Sequence, residues 1–197
     1  RNIAERSSRP HVNCVVLTPI KQNFLCAVDS GLDHLKVYKL DYEQGKLQIA
    51  DILNLSNDDL LSELSTHLNE MSANGEILSC LNKWEKLVFY INELCEEINS
   101  GGFSNYLYYY GNHFEKVKIS LETIGAEKSI ELLNAVESKF PRKKVPKNTD
   151  SIQNNIDKME EKGIDFETED ERYYNFTEKE MLSKLTTYIL ENRKHYR

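Results

Sequence analysis

The stretch ILSCLNKWEKLVFYINELCEEINSGGF, residues 77–103, decides the fold of most of this chain. Its apolar residues recur at alternating spacings of four and three, which is the period of a helix with one buried face. They are Ile77, Leu81, Trp84, Val88, Ile91, Cys95 and Ile98. The pattern ends at Asn99, and the pair Gly101-Gly102 permits a tight, left-handed corner. The sequence therefore predicts a long helix, then a sharp corner with Phe103 filling the junction.

The Gly-Gly pair could instead expose backbone amides to an anion. That use needs a strand before the glycines and a Lys-Ser or Lys-Thr pair after them, and neither is present. The structural corner, made by Asn99, Gly101, Gly102 and Phe103, is therefore the favoured interpretation.

Helical periodicity continues over the rest of residues 54–197, and it ends in a helix that Thr177-Glu178-Lys179-Glu180 introduces with the pattern of a capping box. Residues 1–53 differ, because alternation of period two and turn residues predict four short strands. These cover residues 13–18, 23–28, 34–40 and 46–52. We therefore predict an α+β protein with two domains: a four-stranded antiparallel sheet over residues 1–53, resembling one propeller blade, and a bundle of about seven helices over residues 54–197.

Three segments of the β-rich part resemble a known family. Pro10–Pro19, Phe24–Gly31 and Val37–Asp41 are similar to one blade of the lactonase-type seven-bladed propellers. The resemblance implies lactonase or carboxymuconate-cyclase activity, which would depend on His11 and Asp29. Asn13 stands where the family usually has a second histidine, and a propeller site draws residues from several blades. The resemblance therefore predicts a fragment that does not function alone.

A second resemblance covers about residues 80–195. Glu93–Tyr106 is similar to the glycine signature of a bacterial helical family of unknown function, and Ser120–Ala126 is similar to a second segment of that family. The family includes an acidic dimer that mimics DNA and holds a transcription factor off its operator. The resemblance thus implies a possible homodimer with a basic or DNA-binding protein as partner, although most members have no assigned function.

Charge is distributed unevenly along the chain. The 197 residues carry a formal net charge of −7. Residues 1–53 hold 7 basic and 6 acidic side chains, a net of +1, so residues 54–197 carry −7 − 1 = −8. A net-acidic domain argues against direct binding of nucleic acid, which needs Lys and Arg to replace counterions on phosphates. It does not exclude a partner that itself binds nucleic acid.

The densest acidic stretch is 157–171. Eight Asp and Glu residues stand there against two Lys, a net of 2 − 8 = −6. The ordinary interpretation is a solvated face. The functional one is a row of carboxylates that imitates phosphates toward a basic partner. The candidate partner-binding residues in this row are Glu160, Glu161, Asp165, Glu167, Glu169, Asp170 and Glu171.

Motifs for catalysis or metal binding are absent from the sequence. The four cysteines lack metal-ligand or redox spacing, and no His falls at metal-ligand spacing with another His or Cys. Glu93, Glu96 and Glu97 share one helix face, but without a His partner or a metal they indicate a solvated surface. We therefore expect no catalytic residue, no metal and no cofactor.

The leading interpretation is a non-catalytic protein-interaction domain, with a DNA-mimic-like binder of a DNA-binding protein as its sharpest form. The alternative is a lactonase-like or cyclase-like hydrolase. No apolar run approaches the roughly 20 residues that span a bilayer, and the first residues lack the apolar core of a secretory signal. We therefore expect a cytoplasmic protein without membrane contact.

Overall fold

The computed structural model describes residues 49–197 and the backbone of three short strands that precede them. The chain divides into two compact units, residues 1–50 with Arg197 and residues 51–196. In the first unit the strands are β1 (Cys14–Val16), β2 (Phe24–Val28) and β3 (Leu35–Lys39). They pair antiparallel in the order β1-β2-β3. Cys14 pairs with Val28 and Val16 with Cys26, so the two cysteines do not lie directly opposite each other.

The predicted α+β fold with a four-stranded N-terminal sheet is wrong. Residues 49–52 belong to the predicted fourth strand but are helical, and residues 49–197 contain no strand. The reason lies in the sequence itself. Ile49, Ile52 and Leu53 stand at positions i, i+3 and i+4, and all three are buried. Alternation over residues 46–49 thus runs into a helical pattern, and the protein is predominantly helical over its described residues.

Residues 49–197 contain seven α-helices of more than one turn. They are α1 (Asn57–Met71), α2 (Lys83–Tyr110), α3 (Phe114–Ile124), α4 (Glu127–Ser138), α5 (Thr149–Glu160), α6 (Glu167–Arg172) and α7 (Glu178–Glu191). Short 3-10 turns lie at Leu78–Cys80, Gly111–His113, Pro141–Lys143 and Arg193–His195. A π-helical turn, Tyr173–Thr177, joins α6 to α7. Of the described helices, none is long and apolar enough to cross a membrane.

The start of α2 is fixed by a capping box. The side-chain oxygen of Asn82 accepts hydrogen bonds from the amides of Trp84 (2.9 Å) and Glu85 (3.1 Å). Glu85 in turn accepts one from the Asn82 amide at 2.7 Å. Because these bonds satisfy amides that a helix end leaves free, α2 begins at Lys83 rather than at Ile77.

Helix α2 is the centre of the helical unit and contacts α1, α3, α5 and α6. Its side chains Ile91, Ile98, Phe103, Tyr106 and Leu107 have no exposed surface. The helix changes direction at Gly101 and Gly102, whose backbone angles are not helical. The corner predicted from the sequence therefore divides one long helix into two arms that both line the core.

The capping box predicted at Thr177–Glu180 is wrong. Thr177 lies in the π-helical turn, and its hydroxyl donates to the carbonyl oxygen of Arg172 at 3.1 Å. It therefore binds backwards along the turn instead of capping α7. The chain enters α7 through a continuous helical turn, which leaves no free helix end to cap.

Candidate functional site

The corner of α2 is held by a carboxylate from α6. The amide of Phe103 donates a hydrogen bond to Oδ1 of Asp170 at 2.8 Å. Gly102 has φ +73° and ψ −172°, a conformation that essentially only glycine adopts. A Cβ atom on Gly102 would lie 2.5 Å from Oδ2 of Asp170. Gly102 is therefore required for two reasons: its backbone angles, and the close approach of the Asp170 carboxylate, which leaves no room for a Cβ atom.

Three further contacts join the corner to the segment around α6 and the π-helical turn. Asn99 donates from Nδ2 to Oε1 of Glu178 at 3.1 Å. The Tyr174 hydroxyl donates to the carbonyl oxygen of Ile98 at 2.7 Å. Phe103 meets the ring of Tyr173 edge-on, with ring centroids 6.4 Å apart. The glycine motif and the acidic stretch, which the sequence suggests separately, therefore form one structural unit.

The seven candidate acidic residues divide into two groups. Glu169 is buried and forms an ion pair with Lys139, while Asp170 is half-buried against the corner. Lys139 also donates to the carbonyl oxygen of Asp165 at 2.6 Å. The other five side chains are exposed: Glu160, Glu161, Asp165, Glu167 and Glu171. Two carboxylates therefore anchor the acidic segment, and five face solvent.

The pKa of Asp170 reflects its partial burial and its neighbours. Burial raises the pKa of its carboxyl group above the ordinary value. The hydrogen bond from Phe103 lowers the pKa, whereas the neighbouring Glu169 raises it. Asp170 is therefore a structural carboxylate, and the surface available to a partner is carried by the five exposed residues.

A second group of carboxylates lies on the first arm of α2. Glu93, Glu96 and Glu97 line an open cavity of about 180 Å³ together with Phe89, Tyr110 and three asparagines, Asn69, Asn74 and Asn92. Oε2 of Glu93 lies 2.7 Å from Nδ1 of His113. Sequence spacing gave no sign of this partner, because His113 lies twenty positions along the chain and reaches Glu93 only through the corner of α2.

Amide groups hold the other two carboxylates of this cavity. Asn92 donates to Glu96 and Asn105 donates to Glu97, each at 2.6 Å. Burial raises the pKa of Glu97, and the carboxylates of Glu93 and Glu96 raise it further. The cavity is therefore negatively charged, which favours cations over anions. No described cluster of three or more His, Cys, Asp or Glu residues is arranged to hold a metal ion.

We expect Glu97→Gln to stabilise the protein by about 0.5 kcal/mol at pH 7, since it removes a like-charge pair at i,i+4 with Glu93. Glutamine keeps an oxygen that can accept the Asn105 bond. The pKa of Glu97 is higher in the folded protein than its ordinary value of 4.5, so the protonated carboxyl group favours the folded state. This contribution to stability is present at low pH and is lost as the pH rises and Glu97 ionises. Urea unfolding should therefore show the gain at pH 7 and none at pH 3.5. An equal gain at both pH values would show that charge is not its cause.

The helical unit is an acidic helical domain in which a glycine corner is joined to an anchored acidic segment. Residues 79–192 match the family of DMP19-like proteins, and because the match covers more than half of the chain, the protein belongs to that family. The matched residues include the glycine corner and all seven candidate acidic residues.

Residues 2–59 match the family of seven-bladed lactonase β-propellers, which is a partial match to less than a third of the chain. Both resemblances predicted from the sequence are thus confirmed. His11 and Asp29, on which lactonase-type activity would depend, lie outside the described residues. No curated protein and no solved structure gives a significant match to the chain.

Proposed function

We propose that the helical domain is a non-catalytic, cytoplasmic binding domain for a basic, DNA-binding protein. The exposed carboxylates of the acidic segment contact the surface that the partner uses for DNA phosphates. A homodimer would present this surface twice. Membership of the DMP19-like family is consistent with a binding role and specifies no partner.

One observation carries the proposal: the acidic segment is fixed to the core by its two inner carboxylates. Glu169 pairs with Lys139, and Asp170 holds the amide of Phe103. The exposed residues on either side, including Glu167 and Glu171, are therefore held on an ordered backbone. Charges on an ordered backbone can match the fixed spacing of charges on a partner at a smaller cost in entropy than charges on a mobile tail.

The test compares two variants with the same change in charge. The first carries Gln at Glu160, Glu161, Glu167 and Glu171, and the control carries Gln at Glu63, Glu70, Glu122 and Glu131. All eight residues are exposed, and the four control residues lie on α1, α3 and α4. The unmodified protein is used to capture a partner from an extract of the source organism, and the dissociation constant of that partner is then measured for the unmodified protein and for each variant.

We expect the first variant to bind the captured protein about tenfold more weakly at about 0.15 M salt, since each exposed charge pair is worth about 0.2–1 kcal/mol. Its affinity should also depend less steeply on salt. The control should stay within about twofold of the unmodified protein, and a DNA duplex that the partner binds should compete. Equal weakening by both variants, or no competition by DNA, would contradict the proposal.

A further inference from the structure

The π-helical turn Tyr173–Thr177, which follows Arg172, leaves two aromatic side chains at least half exposed or nearly so. Phe176 is 70% exposed and Tyr174 is 49% exposed. The residues at the two ends of the turn, Tyr173 and Thr177, are buried. The two ends of the turn therefore pack against the core, and the residues between them are exposed.

This turn is fixed rather than loose. The Tyr174 hydroxyl binds the carbonyl oxygen of Ile98, and the Thr177 hydroxyl binds that of Arg172. Tyr173 packs edge-on against Phe103. A π-helical turn is a rare conformation that often lies at functional sites. Because the turn is already ordered, an aromatic side chain on it binds a partner with little further loss of backbone entropy.

An exposed apolar residue is ordinary by itself, and Ile119 on α3 is 59% exposed in this protein. Phe176 differs because it lies in a chain segment with a net negative charge. Residues 167–180, which include the turn, hold six acidic side chains against two basic ones, Arg172 and Lys179, a net of 2 − 6 = −4, and of the four carboxylates before Arg172 those of Glu167 and Glu171 are exposed. Protein interfaces commonly place an aromatic anchor beside a charged rim. This arrangement points to a binding surface in which apolar and acidic groups act together.

The charge selects the occupant of this surface. A second copy of the chain, docked here about a two-fold axis, would bring the acidic segments of both copies together. An anionic lipid surface would be repelled for the same reason. A basic protein surface meets both requirements, provided that it offers an apolar patch among its Lys and Arg residues.

We propose that Phe176, with Tyr174 beside it, is the apolar anchor through which the acidic surface binds a basic, amphipathic protein segment. This inference rests on the proposed function and specifies its partner: lysine or arginine side chains for the carboxylates, and an aliphatic or aromatic patch for the ring. Affinity for such a partner then has a component that salt does not screen.

The probe is a pair of synthetic peptides with the same number of lysines. One peptide carries leucines at i, i+3, i+4 and i+7, so that they form one helical face, and the other carries serines at these positions. Binding to the unmodified protein, to Phe176→Ser and to the control Ile119→Ser is measured by fluorescence anisotropy at about 0.15 M salt. Because Phe176 is mostly exposed, its substitution should leave the thermal unfolding transition in place.

We expect the unmodified protein to bind the leucine peptide at least about fivefold more tightly than the serine peptide, as one aromatic anchor in an interface can provide. Phe176→Ser should reduce this preference below about twofold without changing the affinity for the serine peptide. Ile119→Ser should keep the preference. A preference that survives Phe176→Ser, or that Ile119→Ser also removes, overturns the anchor.

The variant with Gln at Glu160, Glu161, Glu167 and Glu171 separates the two proposals. If it weakens the binding of both peptides while Phe176→Ser changes nothing, the acidic surface stands and the anchor fails. If this variant binds both peptides as tightly as the unmodified protein does, both proposals fail. They also fail if the unmodified protein binds neither peptide. If Phe176→Ser instead converts a dimer to a monomer in sedimentation, or abolishes binding to anionic vesicles, the surface has another occupant and the proposed partner is wrong.

Discussion

Phe103→Ala is expected to lower the free energy of unfolding by about 3–5 kcal/mol, the range for removing a fully buried aromatic ring from a core. Phe103 has no exposed surface and lies at the junction of the two arms of α2, with the ring of Tyr173 against its own. Alanine would leave a cavity where the corner meets α6. Urea unfolding, followed by circular dichroism, measures the change.

Tyr109→Ala is the matched control, because Tyr109 stands on the same arm of α2 and is 61% exposed. Its substitution should cost less than about 1 kcal/mol, since little apolar surface is lost from the core. A cost for Phe103→Ala as small as that of the control would show that the corner is not part of the cooperative core. The assignment of Gly101-Gly102-Phe103 as a structural motif would then be wrong.

The corner and most of the helical domain could be predicted from local sequence, and the exceptions have physical causes. The alternation of apolar residues in threes and fours fixes the buried face of α2 as far as Ile98, and the glycines mark its corner. The prediction of a strand over residues 46–52 is wrong because Ile49 fits both the strand alternation before it and the helical pattern after it. The pair of Glu93 and His113 could not be predicted, because no spacing rule covers partners that a corner brings together.

The different roles of the acidic residues had a signal that charge counting overlooks. Phe166, Glu169, Tyr173 and Thr177 follow one another at spacings of three, four and four, and all are buried. Glu169 therefore lies on the inner face of its helix. A carboxylate on such a face needs a cation, which Lys139 provides. The helical spacing of the buried residues therefore distinguishes Glu169 from the exposed Glu167 and Glu171.

Gly102→Ala is the second substitution for which we expect a large effect, a loss of about 2–4 kcal/mol in the free energy of unfolding. The backbone angles of Gly102 alone cost a residue with a side chain about 1–3 kcal/mol. The new Cβ would also lie 2.5 Å from Oδ2 and 2.9 Å from Cγ of Asp170. Relief requires Asp170 to move, and movement weakens its bond to the Phe103 amide.

Two comparisons separate the backbone cost from the contact with Asp170. Gly163 also has a positive φ, of +69°, but a Cβ there meets nothing within 4 Å, so Gly163→Ala should cost only about 1 kcal/mol. Asp170→Gly should cost about 1–3 kcal/mol by itself, because it leaves the Phe103 amide without its partner. In the Asp170→Gly background, Gly102→Ala should cost at least about 1 kcal/mol less than in the unmodified protein. Equal costs in both backgrounds would mean that Gly102 is required only for its backbone angles, and that α6 is not locked to the corner by this close approach.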